Sequence, residues 1–287
     1  MINALLFPGQ GSQEPGMGKE LYEELPRARA ILDEACEILG WDLKKLMFEG
    51  PAEKLTDTRY AQPAIYTCSA MHLEKAREEG IVPAYTAGHS LGEYSALYAA
   101  GAFSFETGLR LVSRRGEAMA ARNGNGTMAA VLGLTEEELI PLLAPGVVIA
   151  NLNSRTQNVI SGTTQGVEET AAALEERGIS VRKLAVSAAF HSPQMAEAAG
   201  IMEEEIGRAD IAAPGAWVVC NVTGKATRDP DEIRRNLTAQ ITGQVRWYDT
   251  ITGLVQSGVE QFCEVGHGQV LRKINKTITL RPRCLSI

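Results

Sequence analysis

The chain has no apolar run long enough to cross a membrane as a helix, so no membrane partner is expected. Positive charge is not in excess. Twenty-eight Lys and Arg stand against 35 Asp and Glu, a formal net charge of −7, which argues against non-specific nucleic-acid binding. Metal-ligand spacing is missing too: His72, His89, His191 and His267 are scattered, and no H-E-x-x-H occurs, so no metal is expected. The five cysteines (Cys36, Cys68, Cys220, Cys263 and Cys284) are odd in number and lack C-x-x-C spacing, so they read as reduced thiols, mostly in the core. Met1-Ile2-Asn3 runs directly into Ala4-Leu5-Leu6-Phe7, without the basic start and longer apolar stretch of a signal peptide. The expected location is therefore cytoplasmic. Repeats and low-complexity tracts are absent. What is left is 287 residues, 45% hydrophobic, enough for one large domain with or without a small insert.

The most informative stretch is Gly88-His89-Ser90-Leu91-Gly92, a G-x-S-x-G motif. Before it runs the short β-compatible Tyr85-Thr86-Ala87; after it comes the helix-forming Glu93–Ala100, closed by Gly101. A strand, a sharp turn and a helix in that order make a nucleophile elbow, in which a Cβ at either glycine would collide. Ser90 is then the nucleophile. The helix N-terminus beneath it aims N–H groups and a positive dipole end at any oxyanion that forms.

The rest of the chain supplies the frame. Ala4–Phe7 reads as a buried strand, followed by the Gly-rich loop Pro8–Gln13. Helical patterns run to Gly80, among them Pro63–Glu79, and Ser104–Ala121 is a further helix with Ser104 as its N-cap. Asn123-Gly124-Asn125-Gly126 marks a change of texture. Beyond it the pattern predicts strand Met128–Gly133, helix Thr135–Leu143, strands Val147–Ala150 and Asn158–Ser161, helix Gln165–Arg177 and strand Val181–Val186. That βαββαβ order is the split-βαβ of a ferredoxin-like unit. Strands Trp217–Asn221 and Gln261–Val265 would rejoin the first sheet. The expected fold class is therefore α/β: a hydrolase-like large domain with a parallel sheet and nucleophile elbow (1–124 and 188–287), plus an inserted ferredoxin-like small subdomain (125–187).

A serine hydroxyl needs a base, and histidine is the usual one at neutral pH. His89 should point away from Ser90 at a tight elbow, and His72 lies mid-helix. His191 falls where the insert returns to the large domain, a junction of the kind that lines clefts. His267 follows a late strand, where ordinary α/β-hydrolases place their base. Spacing leaves the two level. The loop Gly9–Gln13 fails as a dinucleotide fingerprint, because Glu14 stands where the third glycine would be. Its backbone, at Gln10, can instead complete an oxyanion hole with the Leu91 N–H.

Taken together, Phe7–Gln13, Gln62-Pro63-Ala64, Gly88–Glu93, Arg115-Gly116, Asn158–Gly162, Phe190–Pro193 and Gln240 ahead of Val245-Arg246-Trp247 resemble the malonyl-CoA:acyl-carrier-protein transacylase family, including the discrete acyltransferases of polyketide synthases. These matches run in family order over nearly the whole chain. The resemblance implies that His191 is the base, paired with Ser90 as a dyad and oriented by a backbone carbonyl near Gln240. It implies Gln10 and Leu91 as the oxyanion hole, and Arg115 and Gln240 as substrate-binding residues. Arg115 would clamp the free malonyl carboxylate, because a guanidinium grips a carboxylate bidentately. The alternative for Arg115 is a surface ion pair with Glu117 or Glu93. Arg114, about 100° around the helix, should point elsewhere.

The implied reaction is ping-pong transfer of malonyl from malonyl-CoA, through Ser90, to the phosphopantetheine thiol of an acyl carrier protein. The implied setting is fatty acid synthesis, with no bound cofactor. Many family members carry Pro where this chain has His267, and Gly-His-Gly loops occur in some discrete polyketide acyltransferases, which form the first alternative. A serine esterase or thioesterase using Ser90 and His267, with Glu264 as a third member, is the second; a carrier-protein binder without activity is the third. Acidic carrier proteins would need a local basic patch. Arg182 and Lys183, or the C-terminal Arg272, Lys273, Lys276, Arg281 and Arg283, are the candidates.

Overall fold

Strand β1 (Asn3–Phe7) is buried on both faces. Side chains alternate across a strand, and here the alternation divides two layers. Leu5 and Phe7 join the core made with helices Pro26–Leu39, Thr58–Glu78 and Phe105–Ala120; Ala4 and Leu6 join Ala87, Trp247, Ile251 and Leu254 on the other face. A computed structural model describes residues 1–186 and 188–287. The remaining strands are β2 (Pro83–Gly88), β3 (Thr127–Leu132), β4 (Val148–Ser154), β5 (Gln157–Gly162), β6 (Ser180–Lys183), β7 (Trp217–Val219), β8 (Ala226–Thr227), β9 (Gln261–Glu264) and β10 (Arg283–Ser286).

One sheet has the order β10-β9-β1-β2-β7-β8 and is parallel except for the β7–β8 pair. The other is antiparallel, in the order β4-β5-β3-β6, with helices Glu136–Leu139 and Thr164–Glu175 between its strands. By chain order within this unit the sheet reads 2-3-1-4, the arrangement of a ferredoxin-like βαββαβ unit.

The two sheets are stitched together. The Val245 amide donates to the Ala150 carbonyl at 2.8 Å and the Leu152 amide to the Val245 carbonyl at 2.9 Å, which ties the edge strand β4 to the large unit. His89, in the elbow, adds a side-chain tie to Asn153 Oδ1 at 2.8 Å and lies beside the Trp247 ring.

Several elements differ from the sequence reading. The helix expected from Pro63 begins at Thr58, because Asp57 caps it by accepting from the Arg59 amide at 2.9 Å; Pro63 lies inside. The helix expected over Thr135–Leu143 stops at Leu139 and continues as a 3₁₀ turn, Ile140–Leu142, around Pro141. The strand expected to reach Val186 ends at Lys183, and Leu184–Val186 leave the sheet to line a cavity. The strand expected to reach Asn221 ends at Val219. Strands β8 and β10, two and four residues long, were not expected; both lie at sheet edges and carry no buried alternation of their own. Ser104 caps its helix as read, accepting from the Thr107 amide at 3.1 Å.

The elbow is the tightest point. A Cβ at Gly88 would lie 1.9 Å from the Gly92 backbone, and one at Gly92 would lie 2.1 Å from the Phe7 carbonyl oxygen. Backbone contacts of this kind do not yield as a side chain would. Gly92→Ala is therefore expected to cost about 1–3 kcal/mol or more in a denaturant titration, whereas Gly146→Ala, with open space around it but positive φ, should cost less.

Candidate active site

Ser90 lies between β2 and helix Gly92–Ala99 with a φ of 52°, a strained value for a residue other than glycine. Asn221 holds it there. Its Oδ1 accepts from the Ser90 amide at 2.7 Å and its Nδ2 donates to the Gly88 carbonyl at 2.6 Å. With the Ser90 amide occupied and the Gly92 amide bonded to the His89 carbonyl, the Leu91 amide is left at the helix entrance. Among the described residues, neither it nor the Gln10 amide donates to another protein group. Both residues line a cavity of roughly 310 Å³ that opens between the two sheets, with Ser90, Arg115 and His191 on its walls.

His191 also has positive φ, 56°, and is buried. Its Nδ1 lies 2.9 Å from the Gln240 carbonyl and 3.1 Å from the Gly243 carbonyl. Carbonyl oxygens only accept, so Nδ1 carries the proton and Nε2 presents its lone pair to Ser90 Oγ, 2.7 Å away. Burial, and secondly the nearby Arg115, push the imidazole down to about 3, so it is neutral near pH 7 and its Nε2 lone pair is free to face Ser90. Two carbonyls take the place a carboxylate holds in a triad.

Arg115, on helix Phe105–Ala120, is 1% exposed. Its Nη1 donates to Gln62 Oε1 at 2.9 Å; its Nη2 donates to Gln240 Oε1 at 2.9 Å and to Ser90 Oγ at 3.1 Å. The Tyr94 ring lies beneath it. Among the described residues no carboxylate salt-bridges this guanidinium. The surface pairing with Glu117 belongs instead to Arg114, which also reaches Glu205. Glu93 is close enough to feel Arg115, but burial dominates and raises its carboxyl to about 7. Gln240 is fully buried and is not on the cavity wall. Its side chain meets Arg115 Nη2, the nitrogen that also reaches Ser90 Oγ.

The rival arrangement does not assemble. His267 bonds Glu14 Oε1 at 2.6 Å and is absent from the cavity wall, and Glu264 accepts from the Leu271 and Arg272 amides, capping the start of helix Val270–Asn275. Glu93, Gln62 and Asn221 carry the site without having been assigned roles from the sequence. Glu93 had one usable signal, an acid at the head of an otherwise apolar helix, and Asn221 had none.

A family model described as acyl transferase domain matches residues 4–281. The chain belongs to the acyl transferase family. It is 44% identical over 293 residues to malonyl CoA-acyl carrier protein transacylase of Bacillus subtilis, covering 99% of this chain and 92% of that one. It is 47% identical over 283 residues to polyketide biosynthesis protein ThaF of Burkholderia thailandensis, covering 96% of this chain but only 24% of ThaF. Among solved structures it superposes, at a TM-score of 0.96 and 35% identity, on the malonyl-transacylase PlMCAT, solved with the type II PKS acyl-carrier protein AntF; the match covers 100% of this chain and 96% of that one. The α/β architecture with its parallel sheet is thus that of acyltransferases.

For this acyltransferase the two histidines separate by mutation. His191→Ala should lower acyl transfer by about 10²- to 10⁴-fold, the usual contribution of a general base. His267→Ala should stay within about fivefold of the wild type, since an exposed pair contributes roughly 0–1 kcal/mol. Steady-state kinetics of the two variants check the ranking.

Proposed function

We propose that the enzyme transfers malonyl from malonyl-CoA to the phosphopantetheine thiol of an acyl carrier protein, through a Ser90 acyl-enzyme. The observation that carries this reading is Arg115: a buried guanidinium 3.1 Å from the nucleophile, with no carboxylate of its own. A cation so placed suits an acyl group that bears an anion two carbons from the reacting carbonyl. A general esterase has no use for it.

The geometry supports the following steps. His191 Nε2 takes the Ser90 Oγ proton as Oγ bonds to the thioester carbon. The carbonyl oxygen becomes an oxyanion facing the Gln10 and Leu91 amides. Collapse breaks the C–S bond, and coenzyme A leaves with the proton from His191. In the second half the carrier's thiol gives its proton to His191 and attacks the Ser90 ester. The C–O bond breaks, and Ser90 Oγ recovers the proton. Each half consumes what the other produces, so no cofactor is required. Arg115 holds the malonyl carboxylate through both halves, and the buried setting keeps water from the ester.

Malonyl transfer is common to fatty acid and polyketide assembly, so the carrier protein decides the pathway. We take fatty acid synthesis as the first reading and a discrete polyketide acyltransferase as the second, which the 47% identity to polyketide biosynthesis protein ThaF supports. Comparing kcat/KM for carriers of the two kinds separates them. Arg182 and Lys183 are the better of the two docking candidates. Both are exposed and immediately precede the cavity-lining Leu184–Val186, although Lys183 already pairs with Glu168 at 3.0 Å.

Intact mass after mixing with malonyl-CoA should show one added malonyl group on the wild type and none on Ser90→Ala. A label that persists in Ser90→Ala overturns the serine mechanism. Arg115→Ala should lose roughly ten- to a hundredfold in malonyl transfer while acetyl transfer is kept or rises, in line with the 1.5–3 kcal/mol of a charged hydrogen bond. Equal losses for both acyl groups would make Arg115 structural.

A further inference from the structure

Glu93 is 1% exposed and has no part in the steps above. Among the described residues its carboxylate meets no cation directly. Its Oε2 accepts from Gln240 Nε2 at 2.7 Å and from the Asn221 amide at 3.2 Å. The same Gln240 nitrogen donates to the Ser90 carbonyl at 2.9 Å, and Gln240 Oε1 accepts from Arg115 Nη2 at 2.9 Å.

In its ionised form Glu93 can only accept, as can the Ser90 carbonyl, so the two together draw the amide nitrogen of Gln240 toward themselves and leave the amide oxygen for Arg115. Turned over, Gln240 would set its NH₂ against the guanidinium, donor against donor. The spacing matters as well. A carboxylate bonded directly to Arg115 would occupy the fork that a substrate carboxylate needs. With a neutral amide between them, Glu93 polarises the contact without neutralising the guanidinium, while Gln62 Oε1 supports the other fork nitrogen.

We infer that Glu93 is a positioning residue for acyl selection: together with the Ser90 carbonyl it fixes the orientation of Gln240, which aims Arg115 at the acyl carboxylate beside Ser90 while keeping the Glu93 carboxyl one amide away. This rests on the reading of Arg115 as the malonyl grip. The same contacts brace the elbow through Asn221 and the Ser90 carbonyl, so the test must separate aim from scaffold.

The experiment measures Ser90 acylation by malonyl-CoA and by acetyl-CoA in the full chain, with thermal unfolding of every variant. In Glu93→Gln, which takes the carboxylate from the two acceptors that hold the Gln240 amide nitrogen and leaves the Ser90 carbonyl, malonyl kcat/KM should fall roughly tenfold, the scale of one charge-assisted hydrogen bond. Acetyl kcat/KM should stay within about threefold, so the malonyl/acetyl ratio drops. Glu93→Asp, which keeps a carboxylate, should recover part of the ratio. Gln240→Glu, which sets a carboxylate directly on Arg115, should depress the ratio further, and it decides the matter if Glu93→Gln does not fold. Equal losses for both acyl groups in Glu93→Gln, unchanged rates for both, or a Gln240→Glu enzyme that still prefers malonyl would each overturn the role of Glu93. A wild type without malonyl preference would instead overturn the reading of Arg115 beneath it.

Discussion

Keeping a guanidinium buried without a counter-charge is the constraint around which this molecule is arranged. Removing an ion from water costs several kcal/mol unless polar groups replace its hydration. At Arg115 that replacement is partial: two amide oxygens, a serine hydroxyl and the face of Tyr94, with Nε left without an acceptor among the described residues. The helix that carries Arg115, the helix that carries Gln62 and the segment that carries Gln240 must all be in place before the charge is tolerable. On the proposed reading a carboxylate-bearing acyl group would complete the set, so that selectivity and local stability would draw on the same interaction.

The second constraint is backbone strain. Ser90 and His191, the two residues that meet through Oγ and Nε2, are the non-glycine residues of positive φ among those described. Conformations of this kind persist only where the surroundings over-determine them. At Ser90 the surroundings are the Asn221 bonds and the close glycine packing; at His191 they are the Gln240 and Gly243 carbonyls. Gln240 recurs in both accounts, holding His191 with its backbone and Arg115 with its side chain.

Much of this could be read from the sequence where the signal is local. The elbow declares itself by two glycines around a serine, the cap at Ser104 by residue type, and the βαββαβ unit by alternating periods. The choice between His191 and His267 was not local. Both follow a strand or a junction; the family resemblance pointed to His191, and the fold puts it against Ser90 and His267 against Glu14. Gln240 was legible as a match, but its bonds to Arg115, Glu93 and the Ser90 carbonyl were not. Asn221 and the edge strands β8 and β10 escaped because a single polar residue after a strand, or two to four exposed residues, carries no period to read. Glu93 stood in plain view within the motif, yet its meaning depends on an amide 147 positions away.

The main-chain bonds between Val245 and the edge strand β4 have a consequence for how material enters and leaves. Many enzymes that must shut out water close a lid over the reactants. Here the wall bearing Met128, Asn151 and Val159 belongs to a sheet tied to the large unit by backbone hydrogen bonds, and to the elbow by His89. Swinging that wall aside would break paired backbone groups in a buried place. That wall is therefore held to the large unit by main-chain bonds as well as by side-chain packing. Loosening it would cost those bonds before the cavity beside Ser90 could change shape on this side.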